Sequence, residues 1–308
     1  MKKLLLFLAL LISVNLTACT SKLSSENEKI NIVCTVFPQY DFVREIAEDY
    51  VNLTMLLPPG SEAHSFEPTP KDIITIQDSD LFIMIGGESE EWADKIVNSN
   101  DELNTEVIRL IDSVDTVEEE TKEGMDAEDT HHESIDEHIW TSPENAIIMV
   151  NEICDALCRV DDANSEVYRQ NAENYISELE RLNIEFKNTV NNGKRNTLIF
   201  ADRFPFRYLT DSIGLDYYAA FPGCSSKTEP SASTIAFLID KINTEGIPYV
   251  FCVDYGDTRI ADSIKKETGT EILRMYSCHI ITKDEFESGE GYVSLMKKNI
   301  SALKEALN

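Results

Sequence analysis

Short apolar runs alternate with amphipathic stretches along most of this chain, and the alternation keeps a fixed order of strand, loop and helix. In the first half the β-rich runs fall at about 32–37, 51–57, 81–85 and 105–110, with helical patterns near 40–48, 70–78 and 91–98. Thr69, followed by Pro70 and by Asp72 three positions on, reads as a helix start: an N-cap, a proline at the first helical position and a capping box. The second half repeats the grammar with runs at 197–201, 215–220, 249–253 and 270–275, and a helix over 292–307 closes the chain. Strands that alternate with helices in this way predict parallel sheets covered by helices. No short fixed period recurs, so the repetition is architectural.

Two further helices lie between the halves. One runs from Pro143 to about Arg159. The other, over 165–192, carries Tyr168, Ala172, Tyr175, Ile176, Leu179, Leu182, Phe186 and Val190 as a stripe at three-four spacing. Such a helix is about 40 Å long at 1.5 Å per residue, enough to join two domains. The expected fold is therefore two parallel-sheet α/β domains, 31–160 and 196–308, joined by one long helix within 161–195. Residues 112–137 break the pattern, being acidic and poor in apolar positions, and are expected to form a mobile loop.

The first nineteen residues form a different unit. Lys2 and Lys3 precede an apolar stretch and then Leu16-Thr17-Ala18-Cys19, which reads as a signal peptide over 1–18 with a lipobox. Cleavage would leave Cys19 to carry lipid, with 19–30 as a flexible tether from the extracytoplasmic face of the cell membrane. The 308-residue chain is 42% hydrophobic and has a formal net charge of -29. That charge argues against nucleic acid as a partner. Of the cysteines after Cys19, Cys34 and Cys252 lie inside apolar strands, and Cys154 and Cys158 are one helical turn apart. Cys224 and Cys278 both lie at strand exits, where a disulfide between them is expected, with Cys278 as a thiolate ligand the other choice.

Ligands of open parallel sheets bind beyond the carboxyl ends of the strands. Applied here, that rule selects His64, His138, Asp202-Arg203, Glu229, Asp254 and His279, which include three of the five histidines. His131 and His132 lie in the acidic segment. Imidazoles combined with carboxylates suit zinc or another late first-row ion, whereas calcium and magnesium want oxygen cages. Ordinary structural histidines are the alternative reading of the same residues.

The stretches PPGSEAHSFEPTPKD and EHIWTSPENA, separated by an acidic histidine-bearing segment and followed by the long helix, resemble the metal-binding lipoproteins of bacterial zinc and manganese ABC importers. The resemblance implies His64 and His138 as the first two metal ligands, and a metal site in the cleft between the domains. Its third ligand place, in DRFPFRYLTDSIGL, is held by Arg203, which stays protonated and offers no lone pair. Its fourth falls at about Cys278-His279, so His279 is the expected third ligand, with Asp202, Cys278 and Glu229 as further candidates. Arg203 and Arg207 are expected to pair with carboxylates. The resemblance implies capture of zinc, or of manganese, by a monomer that hands the ion to a membrane permease and is not an enzyme. A secreted zinc hydrolase, built on three histidines with an open fourth position, and a surface adhesin with a structural metal are the other readings.

Overall fold

The computed structural model describes residues 29–61, 66–99, 104–126, 134–225 and 229–308. The leader, Cys19, most of the tether, His64, His131 and His132 lie outside them. No helix among the described residues is long and apolar enough to cross a membrane.

The first half contains β1 (Asn31–Cys34), α1 (Phe37–Ala47), β2 (Asn52–Met55), α2 (Pro70–Gln77), β3 (Leu81–Met84), α3 (Glu91–Asn98) and β4 (Glu106–Arg109). These strands form a parallel sheet in the order β2-β1-β3-β4. Two helices follow, α4 (Pro143–Val160) and α5 (Ser165–Asn191). The second half comprises β5 (Thr197–Phe204), α6 (Arg207–Ile213), β6 (Asp216–Pro222), α7 (Ala232–Glu245), β7 (Tyr249–Val253), α8 (Arg259–Thr268), β8 (Glu271–Met275), α9 (Lys283–Ser288) and α10 (Tyr292–Ala306). Its sheet is also parallel, in the order β6-β5-β7-β8. The two halves thus share one strand permutation, and the chain forms two α/β domains bridged by a long helix.

Local sequence accounts for most element ends. Thr69 caps α2 as expected: its hydroxyl accepts the Asp72 N–H, and the Asp72 carboxylate accepts the Thr69 N–H at 2.8 Å. Gly214, Gly246 and Gly269 end α6, α7 and α8 in the left-handed conformation that a side chain disfavours.

The long helix α5 buries Tyr168, Ala172, Tyr175, Leu179, Leu182 and Phe186 and packs against α1, α4 and α10, so it touches both halves. One apolar cluster runs continuously from β1 and α1 through α4 and α5 to β5 and α10. At the seam, Tyr292 at the start of α10 donates its backbone N–H to Asp41 (2.7 Å) and its hydroxyl to the Trp140 carbonyl (2.7 Å).

Two expectations fail. The acidic segment, expected to be mobile, is docked in its described parts. Val114, Val117 and Met125 pack on the core, Asp126 N–H bonds the Ala220 carbonyl at 3.0 Å, and Glu120 pairs with Arg207 at 3.0 Å. A few apolar pins and well-placed cations hold it despite its polarity. The Cys224–Cys278 disulfide is absent: all six cysteines among the described residues are free thiols. Cys278 is buried in the core, whereas Cys224 is hydrogen-bonded to His138. Cys34 and Cys252 are buried in their strands, as the apolar runs implied.

Candidate functional site

The carboxyl ends of β5 and β7 and the turn after β8 open on a cavity of about 680 Å³ whose wall includes His138, Asp202, Arg203, Asp254, Ser277 and His279. Pro59 and Gly60, from the loop that leads towards His64, close one side. The Gly60 N–H bonds the Ile281 carbonyl at 2.7 Å, which joins that loop to the opposite domain.

His138 enters from the segment that precedes α4 and is almost wholly buried. Asp136, two residues earlier, turns back on it: one carboxylate oxygen meets both the His138 N–H and ring Nδ1, each at 2.9 Å. Asp136 is itself fixed by its N–H to the Val117 carbonyl (2.9 Å) and by the Tyr208 hydroxyl on its own carbonyl (2.7 Å). This contact engages Nδ1 with the carboxylate, the arrangement commonly found behind histidines that bind a metal through Nε2. Burial pulls the imidazole down, but the nearby Cys224 sulfur and Asp136 carboxylate hold it well above its ordinary range. Burial pushes Cys224 up to about 11, so it is a neutral thiol at pH 7 and Asp136 supplies the effective charge. Gly223 permits the close fit, since a Cβ there would stand 3.3 Å from the ring and 2.9 Å from the Phe204 carbonyl.

His279 is held through a relay. Its N–H donates to the Ser277 hydroxyl (3.1 Å), while Ser277 donates its N–H and its hydroxyl to the two carboxylate oxygens of Asp254, each at 2.6 Å. Asp254 is buried, and that burial raises its carboxyl to about 7. The other side of His279 faces the first domain across a small recess lined by Thr35, Phe66, Ser89, Glu90 and Trp92. The two imidazoles meet edge to face with centroids 5.7 Å apart, and Trp140 packs against both, at 5.5 Å from His138 and 4.9 Å from His279.

The remaining candidates divide. Asp202 lines the cavity, but its oxygens already accept the N–H groups of Arg203 (2.9 Å) and Val253 (3.0 Å). Cys278 is buried in the apolar core next to the cavity wall and is not among the residues lining it, a correction to its candidacy as a thiolate ligand. Glu229 is exposed and pairs with Arg259 at 3.8 Å, which removes it from the cavity wall as well. Arg207 pairs with Glu120 and Asp211 as expected. His64 lies outside the described residues, and among those described no three histidine, cysteine, aspartate or glutamate side chains are grouped to hold one ion. Sequence reading missed Asp136, Ser277 and the orienting part played by Asp254. The spacing Asp-x-His at 136–138 was the one available hint.

Residues 32–306 match the family model described as zinc-uptake complex component A, periplasmic. The chain is 30% identical over 308 residues to the zinc-binding lipoprotein AdcA of Streptococcus pneumoniae, covering 99% of this chain and 61% of that protein. It therefore spans less than two thirds of that relative. It is also 30% identical over 286 residues to the high-affinity zinc uptake system protein ZnuA of Bacillus subtilis, covering 92% of this chain and 89% of that one. Among solved structures, the metal-dependent lipoprotein YcdH of Bacillus subtilis superposes with a TM-score of 0.79 at 28% identity, covering 91% of this chain and all of that one. The zinc-bound ZnuA-like domain of Streptococcus pneumoniae AdcA gives 0.76 at 28% identity, covering 91% of this chain and 99% of that domain. With the match running through both domains and the helix between them, the chain belongs to the family of periplasmic zinc-uptake component A proteins.

Proposed function

We propose that this chain captures a divalent transition metal, zinc before manganese, in the cavity between its domains and delivers it to a membrane ABC permease. The observation that carries the reading is the meeting of His138 and His279, supplied by different domains, on one cavity at the strand ends. His64, on the loop that begins at Pro59, is the third ligand in this reading. Three imidazoles leave one position of a tetrahedral zinc shell for water or an anion. The chain is a binding protein and not an enzyme: the Asp202 and Asp254 carboxylates are engaged by backbone N–H groups and Ser277, which leaves neither placed as a general base. Lipid on Cys19 anchors it to the outer face of the cell membrane as a monomer. Zinc names on the relatives and the lipobox support these assignments.

The test is equilibrium dialysis of metal-free mature protein against zinc. One zinc per chain is expected, with loss of at least about tenfold in affinity for His64→Ala, His138→Ala and His279→Ala separately. Binding that is unchanged in all three variants would refute the site.

A further inference from the structure

The two residues ahead of His138 are tied to different domains. Asp136 meets the His138 ring and, through its carbonyl, the Tyr208 hydroxyl of the second domain. Glu137 reaches the first domain instead. It is buried, and its two carboxylate oxygens accept the Ser89 N–H (2.8 Å) and the Ser89 hydroxyl. Ser89 belongs to the turn at the exit of β3, so the residue next to His138 is clasped there at two points.

That turn is shaped to receive the carboxylate. Gly87 has φ of 124°, a value that side chains rarely adopt, and a Cβ there would stand 2.6 Å from a Glu137 carboxylate oxygen. Glu90 closes the turn by accepting the Gly86 N–H at 2.8 Å. The same turn also reaches the other imidazole. Ser89 and Glu90 line the recess that His279 faces, together with Trp92, whose ring packs edge to face on Phe66 at 5.4 Å. Ser89 therefore stands between the two histidines, joined to one through Glu137 and bordering the recess of the other.

We infer that Glu137 and Ser89 are positioning residues that fix the spacing of His138 and His279, 5.7 Å between centroids, and that this held spacing discriminates among divalent ions. The inference deepens the transport reading and rests on it. Zinc is satisfied by four ligands at about 2.0–2.1 Å, whereas manganese favours an octahedral shell of oxygens. Ions of this series are separated by the geometry a site imposes more than by raw affinity. A spacing held by a buried two-point contact resists widening, and the cost falls on the ion that wants the larger shell. Cutting the contact should then weaken zinc more than manganese.

Titration of the mature protein with zinc and with manganese, each in competition with a chromophoric chelator, tests this. Wild type is expected to prefer zinc. Ser89→Ala, which deletes one oxygen atom, and Glu137→Gln should each lower zinc affinity at least about tenfold and lower the zinc-to-manganese ratio by a similar factor. Ser89→Thr keeps the hydroxyl and should match wild type in both. Cobalt(II) supplies a second readout, since the intensity of its visible absorption reports tetrahedral ligation; that band should weaken in Ser89→Ala. Should Glu137→Gln fail to fold, Ser89→Ala carries the test alone. An unchanged ratio, or equal losses for the two ions, overturns the brace while zinc binding by wild type leaves the transport reading intact. A wild type that binds neither ion overturns the metal reading and the brace together.

Discussion

The Trp140 indole N–H donates to the Ser277 carbonyl at 2.7 Å, so a side chain of the first domain holds the turn that presents a histidine of the second. Both ends are buried, and the indole also packs against both imidazoles. Trp140→Phe keeps most of the ring and removes the donor, which leaves the Ser277 carbonyl buried without this partner. Unfolding in urea should show a loss of about 1–3 kcal/mol. Zinc affinity should fall in the same variant, because the turn bearing His279 is released.

In the proposed site Asp136 would act on the metal only through His138. In Asp136→Asn the neutral amide no longer favours the same ring tautomer and makes Nε2 a weaker donor. Zinc affinity, read by competition with a chromophoric chelator, is expected to drop about 10–100-fold. Thermal stability of the metal-free chain should change far less than affinity does. An equal effect on both would mean that Asp136 serves packing alone.

Proton release should accompany capture at the proposed site. The contact with Asp136 holds the His138 imidazole protonated above its ordinary range in the metal-free chain. Zinc must displace that proton, so affinity should fall by about tenfold per pH unit on acidification, starting above the usual imidazole range. Calorimetric titration in buffers of different ionisation enthalpy should count about one proton released at neutral pH. A pH-independent affinity between 8 and 6 would contradict the assignment.

Glu90 makes stability depend on pH independently of the metal. Burial raises its carboxyl from 4.5 to about 7, against opposing hydrogen bonds from Thr35 and the Gly86 N–H. A folded value above the unfolded one means a contribution fully present below about 4.5 and lost as pH rises through about 7. The metal-free protein should therefore lose up to about 3 kcal/mol from this group across that window. Glu90→Gln should lessen, without abolishing, the dependence of the melting temperature on pH between those limits, because burial raises Asp41 and Asp254 to about 7 as well.

Gly223 offers a steric test. Alanine there would set a methyl 2.9 Å from the Phe204 carbonyl and 3.3 Å from the His138 ring. One of the two must yield, and Gly223→Ala is expected to weaken zinc binding while circular dichroism reports an intact fold.

The periodic part of the architecture was legible because it rests on local chemistry. The Thr69 capping box, the stripe on α5 and the parallel-sheet grammar need only neighbours in sequence. The strand-end rule placed His138 and His279 on one cavity, since it depends on topology alone. What failed depends on contacts across the fold. Nothing near Val117 or Met125 announces that the acidic segment finds the second domain. The Cys224–Cys278 expectation used strand-exit positions, whereas the direction of each side chain decided the outcome. Cys278 has φ of 62°, a left-handed backbone value at which its side chain is buried in the core. The Asp254–Ser277–His279 relay was invisible for the same reason, since its members meet only when β7 and β8 are paired.

The apolar cluster shared by both domains has an evolutionary and practical reading. Because α10, last in sequence, closes over Phe42 and Asp41 near the beginning, neither half is a self-sufficient module. Expressed alone, the first half would present bare hydrocarbon where α5 and α10 belong, and would aggregate instead of yielding a working half-receptor. Recombination between relatives should therefore exchange this region whole, with crossovers inside it selected against.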